Sequence, residues 1–232
     1  MGDAPANERT SMVMRVAPVI TGTLTIVFAY NGTHEDGSRT GPATTDSAAK
    51  VLSYFQAHTA RAGSGAFSLL LAAIFGMFFY GLVRQRLIRT TRSDWLATAA
   101  LGGAVILAVA ALLQGGVDFA LNDLGSHLNT NTAQILNVLQ SDLNQMMIQG
   151  GLTVLMVGFG LALWRSGSYR WLGWPTVAIG ILASAGPLIG VALPLEGIWI
   201  LLVGVLMLTD DRGRPTPTGA PTARAEQPAG QS

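Results

Sequence analysis

The sequence predicts an all-α membrane protein: a polytopic bundle of six transmembrane helices with the N- and C-termini in the cytoplasm. Half of the 232 residues are hydrophobic and 12% are charged, whereas a soluble domain usually has about 25% charged residues. Long apolar stretches recur along the chain, and those on either side of the first basic loop are each long enough to cross a bilayer. Arginines cluster in some of the connecting segments and are scarce in others, which is the asymmetry that sets orientation in a membrane.

The first predicted span covers residues 11–30 and follows a polar cytoplasmic N-terminus, residues 1–10. A cleavable signal peptide is the alternative, because the short basic start, the apolar core from Val16 and the triplet at 27–29 also fit that pattern. The length of the run, close to the roughly 20 residues of a span, favours a retained helix. With either interpretation the chain from Asn31 onward lies outside.

The second span is predicted at residues 63–83, between an outer segment and a cytoplasmic loop. Before it, residues 31–45 have the Gly, Thr and Asp content of a loop, and apolar residues at helical spacing after Asp46 predict a short outer helix. The loop at residues 84–94 carries four arginines in eleven residues: Arg84, Arg86, Arg89 and Arg92. These arginines can bind anionic lipid headgroups, although a topology signal alone explains them.

The third span is predicted at residues 95–116 and the fourth at residues 146–164. The segment between them contains no Lys or Arg, as expected on the outer side. Its second half carries an apolar stripe on one side and amide or hydroxyl side chains on the other: Ile135, Leu136, Leu139, Leu143 and Met147 against Gln134, Asn137, Ser141 and Asn144. We expect a helix that begins near Asn131 and runs unbroken into the fourth span, with its outer part above the bilayer or lying on it.

Residues 171–208 are just long enough for two short spans, predicted at 171–190 and 193–208, and a disordered cytoplasmic tail follows at 209–232. The turn between them lies either at residues 193–195, around Pro194, or at Gly186-Pro187. We favour the first, because it leaves Glu196 interfacial and structural at a helix start. The second would bury Glu196, which would then need a partner such as Gln114 or Gln149.

The charge count supports this orientation and a plasma-membrane location. Eleven basic residues fall in predicted cytoplasmic segments and three in outer segments. The cytoplasmic set is Arg9, Arg15, Arg84, Arg86, Arg89, Arg92, Arg165, Arg170, Arg212, Arg214 and Arg224, and the outer set is Arg39, Lys50 and Arg61. Four tryptophans, at 95, 164, 171 and 174, fall at the predicted inner interface, where an aromatic belt is expected.

The acidic outer segment contains the candidates for a metal or catalytic site: Asp118, Asp123, His127 and Asp142. Asp123 and His127 are four residues apart, so on a helix they share a face. Histidine and carboxylate together bind divalent metals or relay a proton. A metal site needs further ligands, however, and no zinc motif such as HExxH is present. A solvated acidic loop is therefore the favoured interpretation.

The spans themselves contain few polar side chains. Gln114 and Gln149, near the outer ends of the third and fourth spans, can hydrogen-bond across helices or line a shallow pocket, and we favour the structural role. We expect no ionisable residue at mid-span, which counts against an ion-coupled transporter. Cysteine is absent, which excludes disulfides, thiol catalysis and cysteine metal sites. No nucleotide-binding loop, nucleophile elbow or haem ligand pair is present.

Several short segments are similar to a known class of protein. They are VLSYFQAH at 51–58, GLVRQRL at 81–87, RWLGW at 170–174 and EGIWIL at 196–201. Together they resemble multi-pass membrane proteins of high-GC bacteria that are grouped as families without an assigned function. The resemblance covers about residues 45–208 and implies no activity and no functional residues.

We therefore expect an integral membrane protein with a structural, accessory or small-ligand- or lipid-binding role, and we expect it not to be an enzyme and not to bind a cofactor. Its partners would be membrane lipids, a second copy of the chain or another membrane protein, and not nucleic acid. Two alternatives stay open: a membrane enzyme or metal-binding protein with an outer-face Asp/His site, and a small transporter or channel subunit.

Overall fold

The described part of the chain consists of seven α-helices and two short helical turns. The computed structural model describes residues 6–34, 42–90, 94–124, 127–167 and 169–212, and no strand occurs within these ranges. The helices are α1 (Ala6–His34), α2 (Ala48–Thr90), α3 (Asp94–Leu124), α4 (Thr130–Val138), α5 (Asn144–Arg165), α6 (Arg170–Ser184) and α7 (Ile189–Arg212). A π-helical turn, Leu139–Leu143, joins α4 to α5, and a 3₁₀ turn, Gly186–Leu188, lies between α6 and α7. The predicted all-α class is confirmed.

Five helical stretches are long and apolar enough to cross a membrane: Val16–Thr33, Gly63–Arg89, Trp95–Ala120, Thr130–Arg165 and Gly186–Thr209. Helix α6 is apolar too but has 15 residues, which is about 22 Å at the helical rise and shorter than a hydrocarbon core of about 30 Å. The chain is therefore an all-helical protein with five helices of membrane-spanning length and one shorter apolar helix.

Helix α2 is longer than the span predicted within it. It begins at Ala48 and ends at Thr90, so the predicted outer helix, the second span and most of the predicted basic loop are one continuous helix. The prediction of a loop over residues 84–94 is wrong in this respect. Arginine is a good helix former, and positive charge at a helix C-terminus interacts favourably with the helix dipole, so the helix continues past the apolar stretch.

The turn near the end of the chain differs from the one that we favoured. Helix α7 runs from Ile189 to Arg212 with Pro194 inside it, so the predicted turn at residues 193–195 is wrong. Gly186 has a φ of 57°, a left-handed conformation that costs glycine little and other residues considerably more. Residues 193–195 contain no glycine. A turn at Gly186 leaves Pro194 inside α7, and the free energy that this proline costs is offset by the longer apolar helix that results.

The six long helices close into a ring. Helix α2 packs between α1 and α3, and α5 packs between α3 and α6. Helix α7 contacts both α6 and α1, which brings the first and last helices together. Small residues permit close contacts of α5 with both its neighbours: a Cβ added at Gly103 of α3 would lie 2.4 Å from the Leu155 nitrogen, and one added at Gly173 of α6 would lie 2.8 Å from the Gly160 oxygen. The main hydrophobic core lies inside the ring.

A second, smaller apolar cluster lies at the end of the bundle that we predict to face outward. It joins the first turns of α2 to α3 and α4 through Val51, Phe55, Val117, Leu128 and Ala133. Helix α4 begins with Asn129 as its N-cap, whose side chain accepts a hydrogen bond from the Thr132 amide at 2.8 Å. The start near residue 131 is therefore predicted to within one residue, but the π-helical turn interrupts the expected unbroken helix.

Candidate functional site

The arginines predicted in a loop lie on the last turns of α2. Arg84 donates from Nε and Nη2 to the Thr98 hydroxyl of α3 at 3.3 and 3.1 Å. These bonds join the C-terminal part of α2 to the N-terminal part of α3. Arg89 is exposed and Arg86 is half-buried. Arg92 lies outside the described residues. An interaction of these side chains with lipid headgroups stays a prediction.

The four candidate metal ligands do not converge. Asp123 lies in the last turn of α3, which ends at Leu124, and His127 follows it in the chain. Both side chains are exposed, and a shared face stays a prediction. Asp142 is exposed on the π-helical turn, and Asp118 accepts a hydrogen bond from Gln140 at 2.8 Å. In the part of the chain that the structure describes, no three His, Asp or Glu side chains are grouped as they would be around a metal ion.

Hydrogen bonds between amide and carboxylate side chains join α3 to the π-helical turn and α5. Asn144 donates to Gln114 Oε1 at 2.9 Å, one turn from the bond between Gln140 and Asp118. We call these four residues the outer polar seam. Gln149, further along α5, donates to the Gly186 carbonyl at 3.4 Å. The glutamines predicted in the spans therefore hydrogen-bond to neighbouring helices, which satisfies groups that lipid cannot.

The polar side of the α4–α5 segment faces inward and its apolar side faces outward. Asn144 is 4% exposed, whereas Ile135 is 68% and Met146 is 70% exposed. Gln134 and Asn137 of α4 also point inward and donate to the carbonyls of Thr44 and Ala43. This is the reverse of an amphipathic helix on a water-soluble protein. The outward surface of this segment is apolar at Ile135 and Met146, and Asp142 is exposed on the π-helical turn between them.

An apolar groove of about 470 Å³ lies between α2 and α3 at the end of their spans that we predict to face outward. Its floor is made of small residues, since a Cβ added at Gly115 would lie 3.1 Å from the Ala66 carbonyl oxygen. Two exposed phenylalanines form its sides. The lining residues are Gly63, Ala66, Phe67, Leu70, Leu112, Gly115, Gly116 and Phe119, none of which has a polar side chain.

The only titratable side-chain pair within the bundle that we identify among described residues joins α2 to α7. Tyr80 donates its hydroxyl hydrogen to Glu196 Oε1 at 2.5 Å, and Tyr80 is 4% exposed. The partners expected for a buried Glu196, Gln114 and Gln149, are both engaged elsewhere, so that expectation is wrong. Sequence analysis missed Tyr80 because it resembles the other aromatic residues of its span and lies 116 positions from Glu196.

Three further rings pack with Tyr80, and together with it we call them the aromatic cluster: Phe79, Phe159 and Trp199. The Phe159 ring stacks on Trp199 at 5.9 Å and on Tyr80 at 6.1 Å. Trp199 donates its indole hydrogen to the Thr176 hydroxyl of α6 at 2.7 Å. Helices α2, α5, α6 and α7 therefore meet at this cluster, with Glu196 at its edge.

No family model, curated protein or solved structure matches the chain. The resemblance to multi-pass membrane proteins of high-GC bacteria therefore stays a prediction.

Proposed function

We propose that this chain is a plasma-membrane protein that crosses the bilayer six times, with both termini in the cytoplasm, and binds lipid in an accessory, non-enzymatic role. The sixth crossing is α6. It packs between α5 and α7 within the ring, and a bilayer thins around a short span at a cost of fractions of a kcal/mol per Å. Its position in the ring favours a helix that crosses the bilayer rather than one that lies on the membrane surface.

The distribution of arginine and tryptophan supports the orientation. Trp164 and Trp174 are in contact at 5.3 Å, and the Arg170 guanidinium lies 5.6 Å from the centre of the Trp164 ring. This pairing of basic and aromatic side chains is expected at the cytoplasmic interface. Because the chain has no cysteine, Ser93→Cys and Ser126→Cys can test the orientation on intact cells. An impermeant maleimide should label only Ser126→Cys, and labelling only of Ser93→Cys would reverse the orientation.

The groove between α2 and α3 is the main observation in support of lipid binding. Its lining contains no polar side chain, so water gains few hydrogen bonds there. Along α2 it runs from Gly63 to Leu70, which is about 10 Å at the helical rise. This length lies within one leaflet of a core of about 30 Å. Both walls belong to helices of membrane-spanning length, so the hydrocarbon that reaches the groove is an acyl chain of the outer leaflet.

The test uses phosphatidylglycerol with a photoactivatable diazirine in its acyl chain, incorporated with the full-length protein in nanodiscs. Irradiation followed by peptide mass spectrometry should place most crosslinks on Phe67 and Phe119. Gly116→Leu should lower this labelling several-fold, because its side chain occupies the groove. A Cβ at Gly116 meets no atom within 4 Å, so the substitution fills space without displacing a helix.

Gly102→Leu is the matched control. It lies on the same helix and also has open space around an added Cβ, but it does not line the groove. It should leave the labelling unchanged. Even labelling of all lipid-facing residues, or equal labelling in wild type and Gly116→Leu, would show ordinary solvation by lipid and contradict a lipid site.

A small transporter or channel subunit is the second candidate. The Tyr80–Glu196 pair favours it, because ionisable groups within a membrane bundle are expensive and usually functional. A membrane enzyme or metal-binding protein has less support, since Asp118 is engaged with Gln140 and the other candidate ligands are exposed.

A further inference from the structure

Glu196 lies well inside the last apolar helix rather than at its edge. It follows Ile189, the first residue of α7, by seven residues, which is about 10 Å at the helical rise. Trp199, almost one turn further on, is buried in the aromatic cluster. Glu196 itself is half-buried, and its carboxyl group accepts from the buried Tyr80 hydroxyl, so it lies at a level of α7 where lipid hydrocarbon would surround the helices.

No cationic side chain that the structure describes faces this carboxyl group. Helix α2 contributes Tyr80, and Arg84, one turn later, is bound to Thr98 of α3. On α1, Thr25 lies beside Gly76 of α2, and its hydroxyl donates to the carbonyl of Thr21 in its own helix. Helices α5 and α6 contribute Phe159 and Thr176. Their basic residues are at the ends: Arg165 and Arg170.

An ionised carboxylate in these surroundings is stabilised by one hydroxyl donor and by no described positive charge. The transfer of such a group from water into an apolar bundle costs several kcal/mol. Addition of a proton converts the carboxylate to a neutral carboxylic acid. Its carbonyl oxygen can still accept the Tyr80 hydrogen, so the contact between α2 and α7 is compatible with both charge states.

We propose that Glu196 and Tyr80 form a proton-binding site inside the bundle. The Glu196 carboxylate takes up one proton from solvent water as its O–H bond forms, and releases it as that bond breaks; no other group is oxidised or reduced. A proton fits this site better than an organic cation. A cation would need an accessible ring face, and Phe79, Phe159 and Trp199 are buried against one another.

The competing explanation is that the hydrogen bond only ties α2 to α7. Glu196→Gln separates the two explanations, because the amide oxygen still accepts from Tyr80 while the side chain cannot bind a proton. In nanodiscs, pH-difference infrared spectra of the wild type should contain a carboxylic-acid C=O band that is missing from Glu196→Gln. Identical spectra for the two proteins over the whole pH range in which they stay folded would overturn the proposal.

Tyr80→Phe provides a second measurement that does not depend on the folding of Glu196→Gln. It removes one oxygen and leaves the ring, so the aromatic packing is kept. The same C=O band should move to higher wavenumber, because its oxygen has lost a hydrogen-bond donor. A band that does not move would show that the titrating carboxyl is not the one beside Tyr80, and this would also overturn the proposal. Neither result depends on lipid binding in the groove.

Discussion

The outer polar seam and the aromatic cluster both join helices through side-chain hydrogen bonds, but they satisfy those bonds differently. In the seam, two bonds lie one turn apart: Asn144 to Gln114 and Gln140 to Asp118. Asp118 is close to Ala120, the last residue of the apolar stretch of α3. In the cluster, Glu196 receives one bond, from Tyr80, and the Tyr80 ring packs against Phe79 and Phe159. The comparison teaches that amide donors satisfy the acceptors of the seam, the Asp118 carboxyl group among them, whereas the Glu196 carboxyl group receives a single hydroxyl donor.

The largest effect that separates the two regions should come from Phe159→Ala. Phe159 is fully buried at the centre of the aromatic cluster, and its truncation should lower the free energy of unfolding by about 3–5 kcal/mol. The measurement is reversible unfolding of the purified protein in micelles. Phe67→Ala is the matched control, because that ring is exposed in the groove, and its effect should stay within about 0.5 kcal/mol. Similar losses for both variants would show that the cluster is not the stability core.

Thr176→Val should have a smaller effect on the same cluster. It removes the acceptor of the Trp199 indole hydrogen but keeps the shape of the side chain. A buried donor without an acceptor costs about 1–3 kcal/mol, measured by the same unfolding experiment. Ser184→Ala is the control, since that exposed hydroxyl bonds only within its own helix. An unchanged free energy of unfolding in Thr176→Val would show that the indole finds another acceptor and that the link to α6 is dispensable.

The seam can be tested by a double-mutant cycle. Asn144→Leu removes the donor to Gln114 and should cost about 1–3 kcal/mol, because the remaining amide is left unsatisfied. The double variant Gln114→Leu with Asn144→Leu should recover most of that loss. Equal losses in the single and double variants would mean that the seam is held by packing and not by hydrogen bonding, so its difference from the cluster would disappear.

The smallest expected effect concerns an ion pair at the start of α2. Asp46 precedes the helix and Lys50 lies in its first turn, with 2.9 Å between the Lys50 nitrogen and the Asp46 carboxylate oxygen. The hydrogen bond from the Lys50 ammonium lowers the pKa of Asp46. A lowered pKa means that the pair contributes stability above the unfolded pKa of Asp46, and that the contribution is lost as the pH falls through the folded pKa. Lys50→Met should remove this small acid-side dependence of the melting temperature. Overlapping melting curves against pH for wild type and Lys50→Met would contradict the prediction.

Much of the architecture follows from local properties of the chain. Apolar content summed over about 20 residues and helical spacing are properties of single segments, so they predicted the all-α class and the apolar stretches. The N-cap at Asn129 is also a local feature, and the start of α4 was predicted to within one residue. Helix ends were less accurate, as the continuation of α2 to Thr90 shows, because hydropathy marks the edge of the hydrocarbon and not the end of the hydrogen-bonded helix.

The tertiary structure alone decided which polar groups meet. The turn at Gly186 placed Glu196 inside α7, and closure of the ring brought it to Tyr80, 116 positions away in the chain. The inward side of α4 was also decided by packing, since its stripe pattern is the same whether the amides face water or other helices. Hydropathy describes each segment by itself, whereas a hydrogen bond between helices depends on how all of them close around one core; for this reason the candidate outer residues were visible in the sequence and the Tyr80–Glu196 pair was not.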